Sequence, residues 1–540
     1  VDPDVLDECV SNVPEGGEAV CAHCLSTGAR IEEGDWGCCE GPLRGVAGQC
    51  CRGAGGRCAS DAECCADSVC SDGTCVAPPA IVRAGAPLVE LNAVRVGPST
   101  FDYPPGGRIA AGAVTAADLL RIAYVDAPRA GVPSGSTAHE LWSVAVSTAP
   151  ESLGELVGEP TRLLARPPPG ARLHGLLSTQ LRDGAGRERP LMVAVVEPID
   201  APQTYSYLLV DHEPETGEPF TRSIVGVPRS APVASDGFVS DFHRVLPGIA
   251  AGELDGESRV LMSLVVAGTD PADVSLVVGF VEIGPTTVRF REVDRALIPR
   301  MPLDDETRPR PFESVPLAWH PSLGQWIVVS VVGTVWEGRF QLVSWDGRFH
   351  RAPDEGPAPS LWWPPDVTAP HTVNHVVVHP VSGHVAFQSG HNTVSGTVML
   401  SQAFVNQWAD LYPTEAGTPP ETFPLSMPGT MAVARQGHWL IAPSLLGSTW
   451  EYAESGVAAG AAHGRLNVVQ FRTDAGGGAG RTLTDPLFTT ASVAGEGLGV
   501  HQVARVTGRG VAAHVAVVGV ADALRRGLVV AFVEDDYGTP

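Results

Sequence analysis

The sequence predicts an all-β protein preceded by a small disulfide-rich domain. Three observations carry that reading. All 12 Cys fall between Cys9 and Cys75, short apolar runs bounded by turn residues recur through the rest of the chain, and helical periodicity is nearly absent there. Hydrophobic residues make up 44 % of the 540, enough to bury a core and too many for a disordered chain.

Charge removes several functions. The chain has 61 Asp and Glu against 36 basic residues, a formal charge of −25, and every basic residue is Arg. An acidic chain without a basic block is a poor ligand for nucleic acid, whose phosphates need clustered cations. Without Lys there is no P-loop, no Schiff base and no Lys-based isopeptide bond. No apolar run approaches the ~18 residues of a membrane span.

The head, residues 1–76, has few large apolar residues, so cross-links must replace burial as its source of order. Twelve Cys allow up to six bridges, which need an oxidising compartment. Val1 in place of Met agrees with removal of a signal peptide, and the protein is expected to be secreted or at the cell surface. Cys21-Ala-His23-Cys24 has zinc-knuckle spacing, but no second such pair follows, so disulfides are expected and no metal. Within the head, Cys51-x6-Cys58-x5-Cys64-Cys65-x4-Cys70-x4-Cys75 resembles the inhibitor cystine knot (knottin) family, a spacing also seen in Dickkopf-like modules. The resemblance spans residues 51–75 and implies Cys51–Cys65, Cys58–Cys70 and Cys64–Cys75. Cys9, Cys21, Cys24, Cys38, Cys39 and Cys50 depart from that pattern, and their pairing stays open.

Residues 77–86, opening on Ala77-Pro78-Pro79, read as a linker to a large domain over 87–540. Its runs, such as Leu119–Val125, Leu191–Val196, Val260–Val266 and Ala513–Val520, are apolar at consecutive positions. A strand of that kind is buried on both faces, which in an all-β chain points to sheets stacked on both sides. Thr115–Ala123 is the one helical candidate. An internal repeat supports the stacking: Trp319-His320-Pro321 to Ser330 aligns with Val378-His379-Pro380 to Ser389, each a strand, a Pro/Gly turn and a second strand. This pattern resembles the first hairpin of WD40-like and related bacterial propellers. In the first copy Asp346-Gly347 supplies a further hairpin turn.

Extending the repeat gives seven units, with first strands beginning near Arg108, Arg172, Asp241, Ser314, Asn374, Thr430 and Val500. The seventh lacks a fourth strand, and Pro87–Val96 is unassigned. The expected fold is therefore a seven-bladed β-propeller whose N-terminal strand closes the last blade and its sheet edge.

His174, His243, His375 and His501 stand at or just before the innermost strands of four units, at the mouth of the expected channel. They are the candidate binding residues, able to meet a transition metal or an anion. Repeat-equivalent placement favours a structural role, each His capping its own blade. No catalytic motif, calcium loop, nucleophile elbow or Asn-x-Ser/Thr sequon occurs, the last in agreement with a bacterial origin, and no cofactor is expected. The expected function is an extracellular interaction or scaffold protein, a subunit of a surface assembly or filament. The propeller presents loops, the head spaces or docks, and the partners are proteins or copies of itself. The alternatives are a carbohydrate-active or metal-dependent enzyme using the His ring, and a glycan-binding lectin.

Overall fold

In the computed structural model, residues 109–126, 140–164, 171–198, 205–228, 247–267 and 274–298 are described continuously, as is most of 315–351. Elsewhere the described residues are short strands and parts of 43–90. The chain divides into two compact units, Val1–Pro79 and Ala80–Pro540.

The first unit holds two short hairpins, β1 (Leu43–Val46) with β2 (Gln49–Arg52), and β3 (Val69–Ser71) with β4 (Thr74–Val76). Gly73 turns β3 into β4 with φ of 75°, where a side chain would be strained. The Cys58 N–H donates to Gly73 O at 2.9 Å and the Cys75 N–H to Gly56 O at 2.7 Å. Two disulfides staple this hairpin, Cys58–Cys70 and Cys64–Cys75. Both are pairings that the cystine-knot resemblance implies, and they mark an oxidising environment. Cys65 lies outside the described residues, as do Cys9, Cys21, Cys24, Cys38 and Cys39. Cys50 and Cys51 are placed only as backbone of β2.

The second unit begins with β5 (Ile81–Ala84) and β6 (Val89–Glu90), then runs through successive antiparallel sheets. The first comprises β7 (Ile109–Val114), β8 (Leu119–Asp126), β9 (Glu140–Ser147) and β10 (Leu156–Leu164). In the second are β11 (Ala171–Arg182), β12 (Glu188–Pro198), β13 (Ser206–His212) and β14 (Pro219–Val225). The third is β15 (Gly248–Leu254), β16 (Glu257–Ala267), β17 (Val274–Ile283) and β18 (Val288–Ile298), and a parallel pairing of β14 with β18 joins it to the second in one eight-stranded sheet. A fourth pairs β19 (Leu317–His320), β20 (Gln325–Gly333), β21 (Gly338–Trp345) and β22 (Phe349–Arg351), with β23 (Leu361–Trp362) also on β21. The fifth has β24 (Thr372–Val378), β25 (Val385–Gly390), β26 (Thr397–Gln402) and β27 (Val405–Asp410), and the sixth β28 (Ala432–Ala434), β29 (Trp439–Leu446) and β30 (Arg465–Arg472). The last joins β31 (Gln502–Val506), β32 (His514–Ala521) and β33 (Gly527–Glu534).

Consecutive apolar positions are explained by where alternate side chains go. Successive residues of a strand point to opposite faces. On β7, Ile109 and Ala111 pack with Ala516 and Phe532 of the last sheet, whereas Ala110 packs with Met192 and Ala194 of the second. On β16, Met262 and Leu264 join the second sheet and Leu261 and Val265 the fourth. First strands touch their counterparts: β7 meets both β11 and β31, β11 meets β15, β15 meets β19, and β19 meets β24. The architecture is all-β and propeller-like.

Polar side chains stitch the sheets together. Thr115 Oγ1 accepts the Glu188 N–H at 2.8 Å and Gln180 Nε2 donates to Ala113 O at 2.5 Å, across the first and second sheets. The Ala251 N–H donates to Thr179 Oγ1 at 2.8 Å, Ser263 Oγ to Val315 O at 2.6 Å, and Trp326 Nε1 to Ala250 O at 3.2 Å. Each bond is worth about 0.5–1.5 kcal/mol net, and each fixes the rotation of one sheet against the next. The third and fourth sheets also approach at Gly252, where a Cβ would lie 2.6 Å from Trp319 Cδ2 and 2.7 Å from Trp326 Cζ2. Gly252→Ala is expected to destabilise the second unit by about 1–3 kcal/mol through overpacking, read as a lowered denaturant midpoint. An unchanged midpoint would mean that the two indoles yield freely.

Thr115–Ala123 is not a helix: Thr115–Ala117 is one 3-10 turn, Asp118 reverses the chain at φ 51°, and β8 begins at Leu119. The run is apolar because it is buried on both sides, and tertiary packing overrides local propensity. Pro87–Val96 was the expected partner of the last sheet. Both β5, within the expected linker, and β6 pair antiparallel with β33, while residues 91–96 lie outside the described residues. The repeat at 319–330 and 378–389 does form two equivalent hairpins, β19 to β20 and β24 to β25, and Asp346-Gly347 turns β21 into β22. Among the described residues no helix is long and apolar enough to cross a membrane.

Candidate functional site

Strand direction sorts the connections into two sets. Within the sheets, the turns from first to second strand and from third to fourth are short, as at 115–118, 183–187, 213–218, 255–256 and 284–287. They share one end: Gly217 of the β13–β14 turn stands against Leu119 and Val114, which flank the β7–β8 turn. The remaining connections leave the opposite end and include the longest ones, such as 127–139, 226–247 and 299–316, beside short ones such as 268–273 and 334–337. Alternation of antiparallel strands forces this division.

His174 and His375 have their backbones near the starting ends of the first strands β11 and β24, at the end of the longer connections. Each strand has a register shift there, between Leu173 and Gly175 in one and between Val373 and His375 in the other. His243 and His501 lie outside the described residues, as do the side chains of His174 and His375. In the first unit, the Sγ atoms of Cys58, Cys64 and Cys75 lie within 4.8 Å of one another. A metal needs thiolates, and these sulfurs are already spent in the two disulfides, so the group is covalent framework.

The densest described polar site is one that sequence reasoning missed. It stands where β13 ends, in the run Leu208-Leu209-Val210-Asp211-His212. Asp211 is 2 % exposed. Its Oδ1 accepts from Arg189 Nε at 2.9 Å and from the His212 N–H at 2.8 Å, and its Oδ2 accepts from Arg222 Nη2 at 3.1 Å. Arg222 then reaches the next sheet, donating through Nη1 to Gly284 O at 2.5 Å and Pro285 O at 3.4 Å. One carboxylate thus ties β12, β13 and β14 together, and through Arg222 the turn between β17 and β18. The outer strands of these sheets are also bridged in parallel, Ile224 to Val288 and Val225 to Arg289.

His212 occupies the opposite face of β13, toward the first sheet, and is 1 % exposed. Its Nδ1 lies 2.9 Å from Pro190 O. A carbonyl only accepts, so Nδ1 carries the proton and Nε2 presents its lone pair. Burial dominates and pushes the imidazole down to about 4, against the pull of the bond to Pro190 O and of Asp211 and with added repulsion from Arg121 and Arg189. Arg121 on β8 is half-buried, and loss of solvent lowers its guanidinium despite Glu218.

Two further groupings are present. Asp126 and Glu140, both buried, stand opposite one another where β8 ends and β9 begins. Glu140 accepts from Trp142 Nε1 at 3.2 Å, and Arg162 lies 6.0 Å from the Trp142 ring centre. In the fourth sheet, Asp346 holds His350 Nε2 at 2.6 Å and accepts from Gln325 Nε2 at 3.0 Å; these bonds hold its carboxyl below the usual range against the opposing pull of burial. A related hairpin contact uses His320, whose Nδ1 accepts the Leu323 N–H at 3.2 Å, a structural role for the His of the repeat.

No family model and no curated protein matches the chain. Among solved structures, one titled as the mitotic checkpoint complex aligns at 9 % identity and TM-score 0.38, over 84 % of this chain and 99 % of that one. A periplasmic gluconolactonase of Pseudomonas aeruginosa aligns at 12 % identity and TM-score 0.37, over 75 % and 95 %. An α-L-arabinanase of Penicillium chrysogenum aligns at 12 % and 0.33, over 68 % and 94 %. Likeness at this level carries no inference about activity.

Proposed function

We propose that the protein is a secreted interaction protein of an extracellular or surface assembly. In this reading residues 87–540 make a seven-bladed β-propeller latched by strand pairing to β33. Residues 1–76 are a disulfide-rich module with a cystine knot at 51–75, and residues near 77–86 join the two. The observation that carries the reading is the asymmetry of the connections. Sheets locked to one another by side-chain hydrogen bonds leave their longest connections, such as 127–139, 226–247 and 299–316, at one end, the arrangement of a rigid body that displays loops. Polar side chains such as Asp211, Ser263, Thr115 and Thr179 are spent on holding the sheets. The disulfides are what an oxidising, extracellular setting permits. Partners are other proteins or further copies of the chain.

Deleting residues 1–76, which keeps β5 and β6, is expected to reduce the light-scattering mass of the native particle to that of a monomer. A mass per particle that drops only by the residues removed would sink the docking role of the head. The second reading, a His-lined channel mouth serving an enzyme, is favoured by the matching placement of His174 and His375 at the ends of β11 and β24. Elemental analysis of the full-length protein and of a His243→Ala, His501→Ala double variant separates the two. Stoichiometric metal that the double variant loses selects the second reading.

A further inference from the structure

The seam between the first and second sheets holds polar atoms that its apolar packing leaves alone. Ala123 and Val125 of β8 pack there against Met192, Ala194 and Val210. Arg121 shares their face of β8, and His212 shares the face of Val210 on β13, by the two-residue period of a strand. Ser143 stands opposite Ala123 in register, on that same face. His212 Nε2, Arg121 Nε and Ser143 Oγ are all buried with no hydrogen-bond partner among the described residues. The turn that follows His212 closes over Arg121, since a Cβ on Gly217 would stand 3.6 Å from Arg121 Nε.

We propose that this seam is a proton-controlled joint: neutral His212 keeps the first and second sheets closed, and its protonation beside Arg121 parts them at the end of the short turns. In the closed state Nε2 carries a lone pair and no proton, and neither it nor Arg121 Nε has a hydrogen-bond partner among the described residues. A proton on Nε2 sets donor against donor and cation against cation, out of water. The charged groups around the ring are Arg121 from β8, Arg189 from β12 and Asp211 beside it on β13. Glu218, after the Gly217 turn, bears on Arg121. Asp211 cannot turn to neutralise a second cation, because both of its oxygens are already held on the other face.

The sign follows from linkage. The folded value, about 4, lies below the ordinary 6.5, so the open seam takes up the proton first. Closure is therefore favoured above pH 6.5, lost as pH falls from 6.5 through 4, and flat below. This inference goes beyond the interaction reading and holds whether or not the head mediates assembly.

Hydrogen exchange of β8 and β13 amides in the full-length protein, corrected for intrinsic rates, tests it between pH 7 and 4. The open fraction is expected to rise by on the order of a hundredfold from this residue. His212→Asn can keep a donor toward Pro190 O but cannot titrate, and it should lack that rise. Arg121→Met, which removes the repelling charge, should shrink it. Equal rises in all three proteins would overturn the joint. Should the variants not fold, the NMR titration of the wild-type His212 ring decides: a midpoint well below 6.5 supports the proposal, and one near 6.5 overturns it.

Discussion

Asp211→Ala is expected to cost about 3–5 kcal/mol of stability, among the largest losses open to a single residue in the second unit. Its buried carboxylate faces Arg189 Nε and Arg222 Nη2, two side chains that are themselves mostly buried. Removing it leaves two mostly buried guanidinium groups without their anion and the His212 N–H without its acceptor. Because Arg222 also holds Gly284 O, the damage should spread to the contact between the second and third sheets. Denaturant unfolding followed by Trp fluorescence reads the effect as a lowered midpoint. Replacing Asp211 together with both Arg by apolar residues of similar volume should recover much of the loss, since an absent ion pair is far cheaper than a broken one. A loss below about 1 kcal/mol in the single variant would show that the pair is effectively solvated.

Reduction of the disulfides is expected to unfold the first unit and leave the second folded. The bonds Cys58–Cys70 and Cys64–Cys75 close loops of sequence separation 12 and 11. On the chain-entropy account each contributes about 3 kcal/mol by restricting the unfolded chain. A module with so few large apolar residues has little else to oppose its conformational entropy. All 12 Cys precede residue 76, so a reductant has no target in the sheets. Calorimetry should show one transition vanish and the other stay; limited proteolysis should cut the reduced chain upstream of β5 first. Protease resistance of residues 51–75 after full reduction would refute the premise that cross-links order the head.

Much of the strand framework was legible because burial on both faces leaves a local mark. Leu191–Val196 and Val260–Val266 read as apolar without alternation, and they lie within β12 and β16, each packed between two sheets. Of the seven expected first strands, those near Arg108, Arg172, Ser314, Asn374, Thr430 and Val500 begin at Ile109, Ala171, Leu317, Thr372, Ala432 and Gln502, whereas the one expected near Asp241 begins at Gly248. The same composition misled at Thr115–Ala123, where three residues of turn and the start of a doubly buried strand look like one amphipathic helix. Of the two strands paired with β33, β6 at 89–90 lies within the expected 87–96, whereas β5 at 81–84 lies in the expected linker, because apolar content alone does not say how many short segments share the free edge.

The polar site was not legible. Asp211 gathers Arg189, Arg222 and the turn at Gly284, and His212 faces Arg121; these partners lie on separate strands, and two of them belong to neighbouring sheets. The one local signal was a pair of polar residues ending an apolar strand, which is also how an ordinary exposed strand end looks.

By itself, then, the chain's order of residues determined a cross-linked head, an all-β body and the approximate stations of its strands. Each of these depends on short-range features: Cys spacing, runs of apolar side chains, Pro and Gly at turns. Only the tertiary structure decided which faces meet, that one end carries the short turns, and that an imidazole is kept neutral in a seam beside a guanidinium. Those outcomes depend on distances between strands far apart in the chain and on the exclusion of water between them, neither of which a local pattern encodes.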